Sequence, residues 1–504
     1  MGLCWAPMWR DLGMTEQDWE RMPPAVRSLL VSLKQQVRLL EIRCAAYEQE
    51  LVMLRQQATR IEDLQAEIAE LRERLGQTSR NSSRPPSSDP PHQKRRTSGE
   101  PTRRESGGQP GHQGHGRPLK LVEEVDHVVE LRPTSCARCG QLLLGDDPHP
   151  ERHQVSDVPR AKAEVTEYRR HTVPCLACGA VNQAPWPEEM PPGSFGPRAQ
   201  AIVGYLAGRL GTSQRDVAEA MAVLHGLELS VGSVSAIERR VSEALAAPVA
   251  GARQFVARQR AQYVDETSWP EGGQQKWLWV NATAEVTAFQ VLAGRGTKQA
   301  KTVINEAAKG VITSDRLGSY NWLTQRRRQV CWSHLTRDFR AMAERTGDSA
   351  EVGQALLGQV AELFKLWHRW REGEMARAQL PAEMRPVEQR VKELLEAGSR
   401  STHRKTRHTC QRILKLWGGL WTFVRVEGVE PTNNAAERAL RRAVLWRRKS
   451  FGTQSEAGSR FVERILTVVT TLRQQRRDVL DYLTAACRAA VAQSSPGSLL
   501  PDTS

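Results

Sequence analysis

Leu33, Val37, Leu40, Cys44, Tyr47, Leu51, Leu54, Ala58 and Ile61 follow one another at alternating steps of four and three residues. The series skips at Ile61, where the next step is only three residues long, and resumes through Leu64, Ile68, Leu71 and Leu75. A period of 3.5 residues lines these side chains along one stripe of a helix. It predicts a coiled coil over residues 25–76, with a stammer at the skipped step. The alternative is an amphipathic helix packed on its own domain. As a coiled coil the segment would join copies of the chain into a homo-oligomer. Cys44, Tyr47 and Ala58 do not specify how many.

Residues 77–120 are of another kind. NSSRPPSSDPPHQKRR and GGQPGHQGHGRP are rich in Pro, Gly and Ser, with basic clusters at 94–96 and 103–104. Such a segment buries too little apolar surface to fold alone and reads as a flexible basic linker, suited also to gripping phosphates. Metal binding by His112 and His115 is the lesser reading. CARCG at 136–140 and CLACG at 175–179 follow. Each Cys-x-x-Cys-Gly is a knuckle in which two thiolates converge on one ion and the Gly permits the turn. Together Cys136, Cys139, Cys175 and Cys178 predict one structural Zn²⁺ in a ribbon over residues 121–190. The alternating KAEVTEYRRHTV between them suggests a connecting strand. A redox dithiol would need one pair, and two are present.

The remaining composition narrows the setting. Lys and Arg total 72 against 57 acids in 504 residues, a formal charge of +15, which calls for a polyanionic partner such as nucleic acid. No run of 18 apolar residues predicts a spanning helix, and MGLCWAPMWR does not read as a secretory signal. Nine Cys, five of them scattered (Cys4, Cys44, Cys331, Cys410, Cys487), do not form a disulfide framework. The expected setting is cytoplasmic, with no membrane partner.

Residues 195–250 read as helix, turn, helix, with Ser230 capping the second helix and Arg239 and Arg240 outward. A DNA-reading helix-turn-helix and a plain helical hairpin both fit. Residues 258–475 then switch to strand, hairpin, helix and strand, an α/β domain with a mixed sheet. A helical insertion interrupts it at about 340–425, and a C-terminal helix and tail fill 476–504.

Asp265 and Asp315 each end an apolar strand segment, YVD and VITSD. If the strands are neighbours, both carboxylates project from one sheet edge, where a divalent ion would offset their repulsion. Hard oxygen ligands favour Mg²⁺ or Mn²⁺. Ordinary strand-end acids are the bland alternative. The stretch TNNAAERALRRAVLWRRK at 432–449 carries six cations around one acid, Glu437. Glu437 fits a third ligand, while Arg438, Arg441, Arg442, Arg447, Arg448 and Lys449 fit DNA phosphates beside it.

The ordered set YVDETSW, SDRLGSY, CWSHLTRDF, TNNAAERALRRAVLWRRKSFGTQSEAGSRF and LTVVTTLRQQRRDVLDYL resembles the DDE transposases of bacterial insertion-sequence family sixty-six. The coiled coil, GGQPGHQGHG linker and paired Cys-x-x-Cys agree, so the resemblance spans roughly residues 25–487. It implies a ribonuclease-H-like core with a helical insertion. It puts Asp265, Asp315 and Glu437 on the triad that holds two Mg²⁺ or Mn²⁺. His334, Asn433 and Asn434 fall on auxiliary motif positions. Thr432 stands where many members have Asp. The implied activity is cleavage at the element's terminal inverted repeats, followed by attack of the freed 3′-hydroxyl on target DNA without a covalent protein–DNA intermediate. Small companion proteins of the element are further partners that the resemblance suggests. The rival function is a zinc-ribbon, coiled-coil DNA-binding regulator with an inactive core.

Overall fold

A computed structural model describes residues 9–78, 80–82, 118–159 and 161–501. The GGQPGHQGHG motif, the basic clusters of the linker, His112 and His115 lie outside the described residues. The chain divides into two compact units, Met1–Ser88 and Asp89–Ser504.

In the first unit, α1 (Glu16–Arg21) leads into α2 (Pro24–Leu75). Pro24 sits where its missing N–H costs nothing, and no further Pro or Gly interrupts the 52-residue helix that it opens. At 1.5 Å per residue the rod is about 78 Å long. Its seam is not packed into a domain: Leu40, Leu54 and Ile61 are each more than half exposed in the single chain.

The second unit opens with the two Cys pairs. Only a short antiparallel hairpin, β1 (Thr172–Pro174) with β2 (Val181–Gln183), is regular around the second pair. The strand expected in KAEVTEYRRHTV is confined to its last residues, and most of the preceding alternation is exposed. Four helices follow: α3 (Pro197–Tyr205), α4 (Gln214–His225), α5 (Val231–Ala244) and α6 (Ala246–Arg258). Ser213 and Ser230 accept the N–H of Asp216 and Ser233, capping α4 and α5, the second as its sequence predicts. Val234, Ile237 and Val241 of α5 are fully buried, and Arg240 donates to the Pro192 carbonyl at 2.9 Å. Of the two arginines expected to face out, only Arg239 is exposed.

The sheet contains β3 (Ala261–Glu271), β4 (Gln274–Ala282), β5 (Thr287–Leu292), β6 (Val311–Ser314) and β7 (Arg328–Val330), in the order β5-β4-β3-β6-β7. The first three are antiparallel, and β6 and β7 run parallel to β3. Gly272 and Gly273, at φ +55° and +80°, supply the left-handed pair that a two-residue hairpin requires. Between β5 and β6 lies α7 (Thr297–Ile304). After β7 come α8 (Trp332–Ala343), α9 (Asp348–Arg371), α10 (Leu380–Gly398), α11 (Arg404–Leu414) and the short α12 (Trp417–Leu420) and α13 (Thr422–Arg425). This insertion has its own core around Trp332, Phe339, Leu363, Leu395 and Trp421. The chain returns with α14 (Asn434–Ser450), α15 (Glu456–Gln474) and α16 (Val479–Val491).

The helices of 195–250 and α16 share one core with α15 and with Val286 and Ala288 at β5, so neither is a separate body. One face of α15 also covers the sheet edge: Thr467 and Thr471 accept the N–H groups of Phe289 and Thr287 at 3.0 and 3.1 Å, and Glu463 accepts that of Val291. Those donors would otherwise invite another strand.

Candidate active site

Strand alternation sends successive side chains of β3 to opposite faces. Tyr263 packs in the cluster under α14, whereas Val264 packs in the one with α7 and Tyr320. Asp265 therefore follows Tyr263 toward α14, and Glu266 follows Val264 toward Tyr320, whose hydroxyl donates to Glu266 Oε2 at 2.9 Å. The parallel register pairs Tyr263 with Thr313, so two residues further on Asp265 stands level with Asp315. Asp315 Oδ1 accepts the Leu317 N–H at 2.9 Å, and its carbonyl accepts from buried Arg328 at 3.0 Å.

Glu437 reaches this edge because the start of α14 is tied to it. Asn433 does not cap its helix with its side chain; its Nδ2 donates to the Val264 carbonyl at 2.8 Å, and its backbone N–H donates to Cys331 Sγ at 3.1 Å. Trp332 N–H donates to the Pro431 carbonyl and Cys331 N–H to that of Ser314, both at 2.9 Å. The end of β6 and the starts of α8 and α14 thus meet at one point. Asn434 opens α14, half-buried. His334, in the first turn of α8, has Nδ1 3.6 Å from Glu437 Oε1, and Arg337 lies 3.8 Å from Oε2.

The electrostatics follow. Burial, then the charges of Glu266, Asp315 and Glu437, push Asp265 well above the usual carboxylate range. Burial and Asp315 raise Glu266 to about 7, against the Tyr320 hydrogen bond and Arg295. Burial and then Arg337 lower His334, so its imidazole is neutral near pH 7. The carboxylates of Asp265, Asp315 and Glu437 are within electrostatic reach of one another but do not close into a tight cage. Among the described residues the one group of three metal-ligating side chains with donor atoms within 4.8 Å is Cys331, His334 and Glu437.

Six cations were expected on α14 as a phosphate-binding row, and one is reassigned. Arg447 is spent on the fold, since its guanidinium donates to Thr267 Oγ1 and Ser268 Oγ at 2.7 and 2.6 Å and to the Ser268 carbonyl. Replacing Arg447 by Ala should lower stability by about 2 kcal/mol, the scale for losing hydrogen bonds to a charged donor, and leave DNA affinity near wild type. Chemical denaturation and a filter-binding titration check the two halves. Arg438, Arg441, Arg442, Arg448 and Lys449 are exposed. Arg209 lies close enough to Arg442 and to Arg473 for their charges, after burial, to lower it. Arg209 and Arg473 extend the basic surface from elements distant in sequence, as no local motif foretells.

The two knuckles form as loops of the same shape. Gly140 and Gly179 both have φ +74°, and their N–H groups donate to Cys136 and Cys175 carbonyls at 2.9 and 2.8 Å. Backbone N–H groups of Arg138 and Cys139 lower the Cys136 thiol, and those of Cys178 and Ala177 lower that of Cys175. The four thiols do not meet: no three of Cys136, Cys139, Cys175 and Cys178 lie within 4.8 Å. The loops are local and prearranged, while their joining depends on a long segment with little packing of its own.

A mixed sheet of order β5-β4-β3-β6-β7, with Asp265 midway along β3 and level with Asp315 just past the end of β6, fits a ribonuclease-H-like domain of the kind transposases carry; the strand expected to end at Asp265 instead runs on to Glu271, paired with β4. The chain belongs to the transposase IS66 family, whose model matches residues 193–460, more than half of the sequence. A model for a family of unknown function, DUF6444, matches residues 23–118. Two relatives from Sinorhizobium fredii (strain NBRC 101917 / NGR234) are described as uncharacterized proteins. One, y4qI, is 25% identical over 75% of this chain and 74% of its own; the other, y4hP, is 26% identical over 69% of each. Among the described residues no helix is long and apolar enough to cross a membrane.

Proposed function

We propose that this protein binds the terminal inverted repeats of its own element and catalyses DNA strand cleavage and strand transfer at the acidic edge formed by Asp265, Asp315 and Glu437. The observation that carries this reading is the placement of the three acids: the parallel register sets Asp265 level with Asp315, Asn433 ties the start of α14 to β3, and the charges of Asp315 and Glu437 add to burial in raising Asp265. Carboxylates so gathered fit divalent cations, and an all-oxygen set of Asp265, Asp315 and Glu437 suits two Mg²⁺ or Mn²⁺. Bound there, such ions would activate the attacking oxygen and stabilise the leaving oxygen of a phosphoryl transfer. Tyr320 holds Glu266, Arg328 holds the backbone of Asp315, and Asn433 ties the start of α14 to β3, which keeps Glu437 within electrostatic reach of Asp265. The exposed arginines of α14, with Arg209 and Arg473, bind phosphates beside the acids. Water and then a DNA 3′-hydroxyl are the nucleophiles, so no Tyr or Ser attacks. Cys136, Cys139, Cys175 and Cys178 would hold one structural Zn²⁺ once their loops close together. The test is nicking of labelled DNA carrying the element ends, with Mn²⁺ or Mg²⁺, by wild type and Glu437→Gln. Nicking by wild type alone supports the reading, and equal nicking by both removes Glu437 from the site. Binding without nicking by wild type contradicts catalysis by the chain alone; adding the element's companion proteins then separates a dependent enzyme from an inactive core.

Self-association belongs to the same reading, and the flanks of the seam give it a direction. In a parallel, in-register pair the facing flank positions bring together Arg43 with Glu48, Glu50 with Arg55, and Glu67 with Arg72, all attractive. Only that alignment also sets the two stammers at Ile61 side by side and keeps the seam continuous to Leu75. Cys44 lies on the seam, so mild oxidation should give a covalent dimer that Cys44→Ser abolishes, read on a non-reducing gel. Dimers that do not cross-link through Cys44 would contradict parallel pairing.

A further inference from the structure

We propose that Cys331, His334 and Glu437 form a site for a thiophilic divalent cation, Zn²⁺ in particular, that competes with the hard-ion site for Glu437. Cys331 immediately precedes α8 and His334 lies one turn into it, so their side chains share a face. Glu437 comes to that face from the first turn of α14. The three donor atoms all lie within 4.8 Å of one another. Zinc bonds of about 2.0–2.3 Å at tetrahedral angles separate neighbouring ligand atoms by roughly 3.3–3.7 Å. The 3.6 Å between His334 Nδ1 and Glu437 Oε1 is already such an edge.

Two further observations point to a missing ligand. His334 Nδ1 and Glu437 Oε1 are both buried and neither has a hydrogen-bond partner, which is costly unless something else satisfies them. The Asn433 N–H, directed at Cys331 Sγ at 3.1 Å, supports a metal-bound thiolate as an outer donor. A sulfur, nitrogen and oxygen set selects zinc-like ions over Mg²⁺, which prefers oxygen alone. Coordination releases the Cys331 thiol proton to solvent.

The consequence is regulatory. Glu437 Oε1 faces Cys331 and His334, while Oε2 faces Arg337. Zinc held on Oε1 occupies the carboxylate that a hard ion at Asp265 and Asp315 would share, so zinc should inhibit a reaction that Mg²⁺ or Mn²⁺ supports. Only this consequence rests on the catalytic reading above; the site itself rests on the geometry.

The experiment titrates full-length protein with Cd²⁺, reading the ultraviolet thiolate-to-cadmium band, and counts tightly bound Zn²⁺ by mass spectrometry under native conditions. Wild type, Cys331→Ser and His334→Ala are compared. One metal equivalent lost from each variant, with the knuckle cysteines still loaded, is the expected result. In nicking assays, zinc at a concentration that halves the wild-type rate should need raising about tenfold or more to halve that of Cys331→Ser. The same metal count in all three proteins would overturn the proposal. Circular dichroism checks folding, and if Cys331→Ser unfolds, His334→Ala decides. Were the protein to show no nicking at all, the metal count would still decide the site, so the two readings fail separately.

Discussion

Replacing Asp265 by Asn should abolish DNA cleavage and at the same time raise the melting temperature measured in EDTA at pH 8. The two effects have one origin. Asp265 sits in a recess where burial and three neighbouring carboxylates oppose its ionisation. At pH 8 the folded chain must either keep a proton on it against the solvent or carry a charge beside Glu266, Asp315 and Glu437. Asn has the same shape, keeps an oxygen for the Glu266 N–H that Asp265 Oδ1 now accepts at 2.9 Å, and never ionises. Folding gains what the repulsion cost. Catalysis loses a charged ligand, and a fall on the order of 10³-fold or more is the scale for removing a group essential to charge stabilisation. A variant that loses both activity and stability would mean that Asp265 is a structural acid.

The second large effect concerns pH. Glu266 holds its proton more tightly folded than unfolded, at about 7 against an ordinary 4.5. Its contribution therefore favours folding fully below pH 4.5 and is lost as the pH rises through 7. The difference amounts to roughly 3 kcal/mol if the whole shift is expressed. Asp265 acts in the same direction. His334, with a lowered value, acts oppositely, its contribution being lost as the pH falls. The comparison is therefore between wild type and Glu266→Gln, in which the His334 slope is common. In EDTA, wild type should lose stability relative to the variant between pH 5 and pH 8, and Mn²⁺ should restore most of the loss at pH 8. Parallel melting curves for the two proteins at every pH would contradict this electrostatic account.

These effects separate what was legible in the sequence from what was not. The strands that carry Asp265 and Asp315 were legible because apolar runs mark strands; that β3 runs on past Asp265 to Glu271 was not, since the polar residues after Asp265 read as a strand end. Glu437 was legible as an anomaly, one acid among six cations. Glu266 was overlooked because a neighbour in a strand points to the other face, and only Tyr320, folded against that face, shows its place at the edge. Arg447 was read as a phosphate ligand, whereas in the fold its guanidinium bonds Thr267 and Ser268. It follows Ala436, Leu440 and Ala443 at steps of four, three and four, which is the buried stripe of α14, and that signal was available. Cys331 and His334 appeared only as parts of a motif, since their approach to Glu437 depends on Asn433 stitching two helices 100 residues apart. The helices of 195–250 looked independent because their apolar faces do not say what covers them; α15 and α16 do.

The most direct measurement is a strand-transfer assay. Purified full-length protein, with Mn²⁺ or Mg²⁺, is given DNA carrying the ends of its own element and a supercoiled target. The junctions are sequenced. The account predicts element 3′ ends joined covalently to target DNA, dependent on the ion. Cleaved element ends with no junctions would contradict the claim that this edge joins strands and would leave a nuclease in its place.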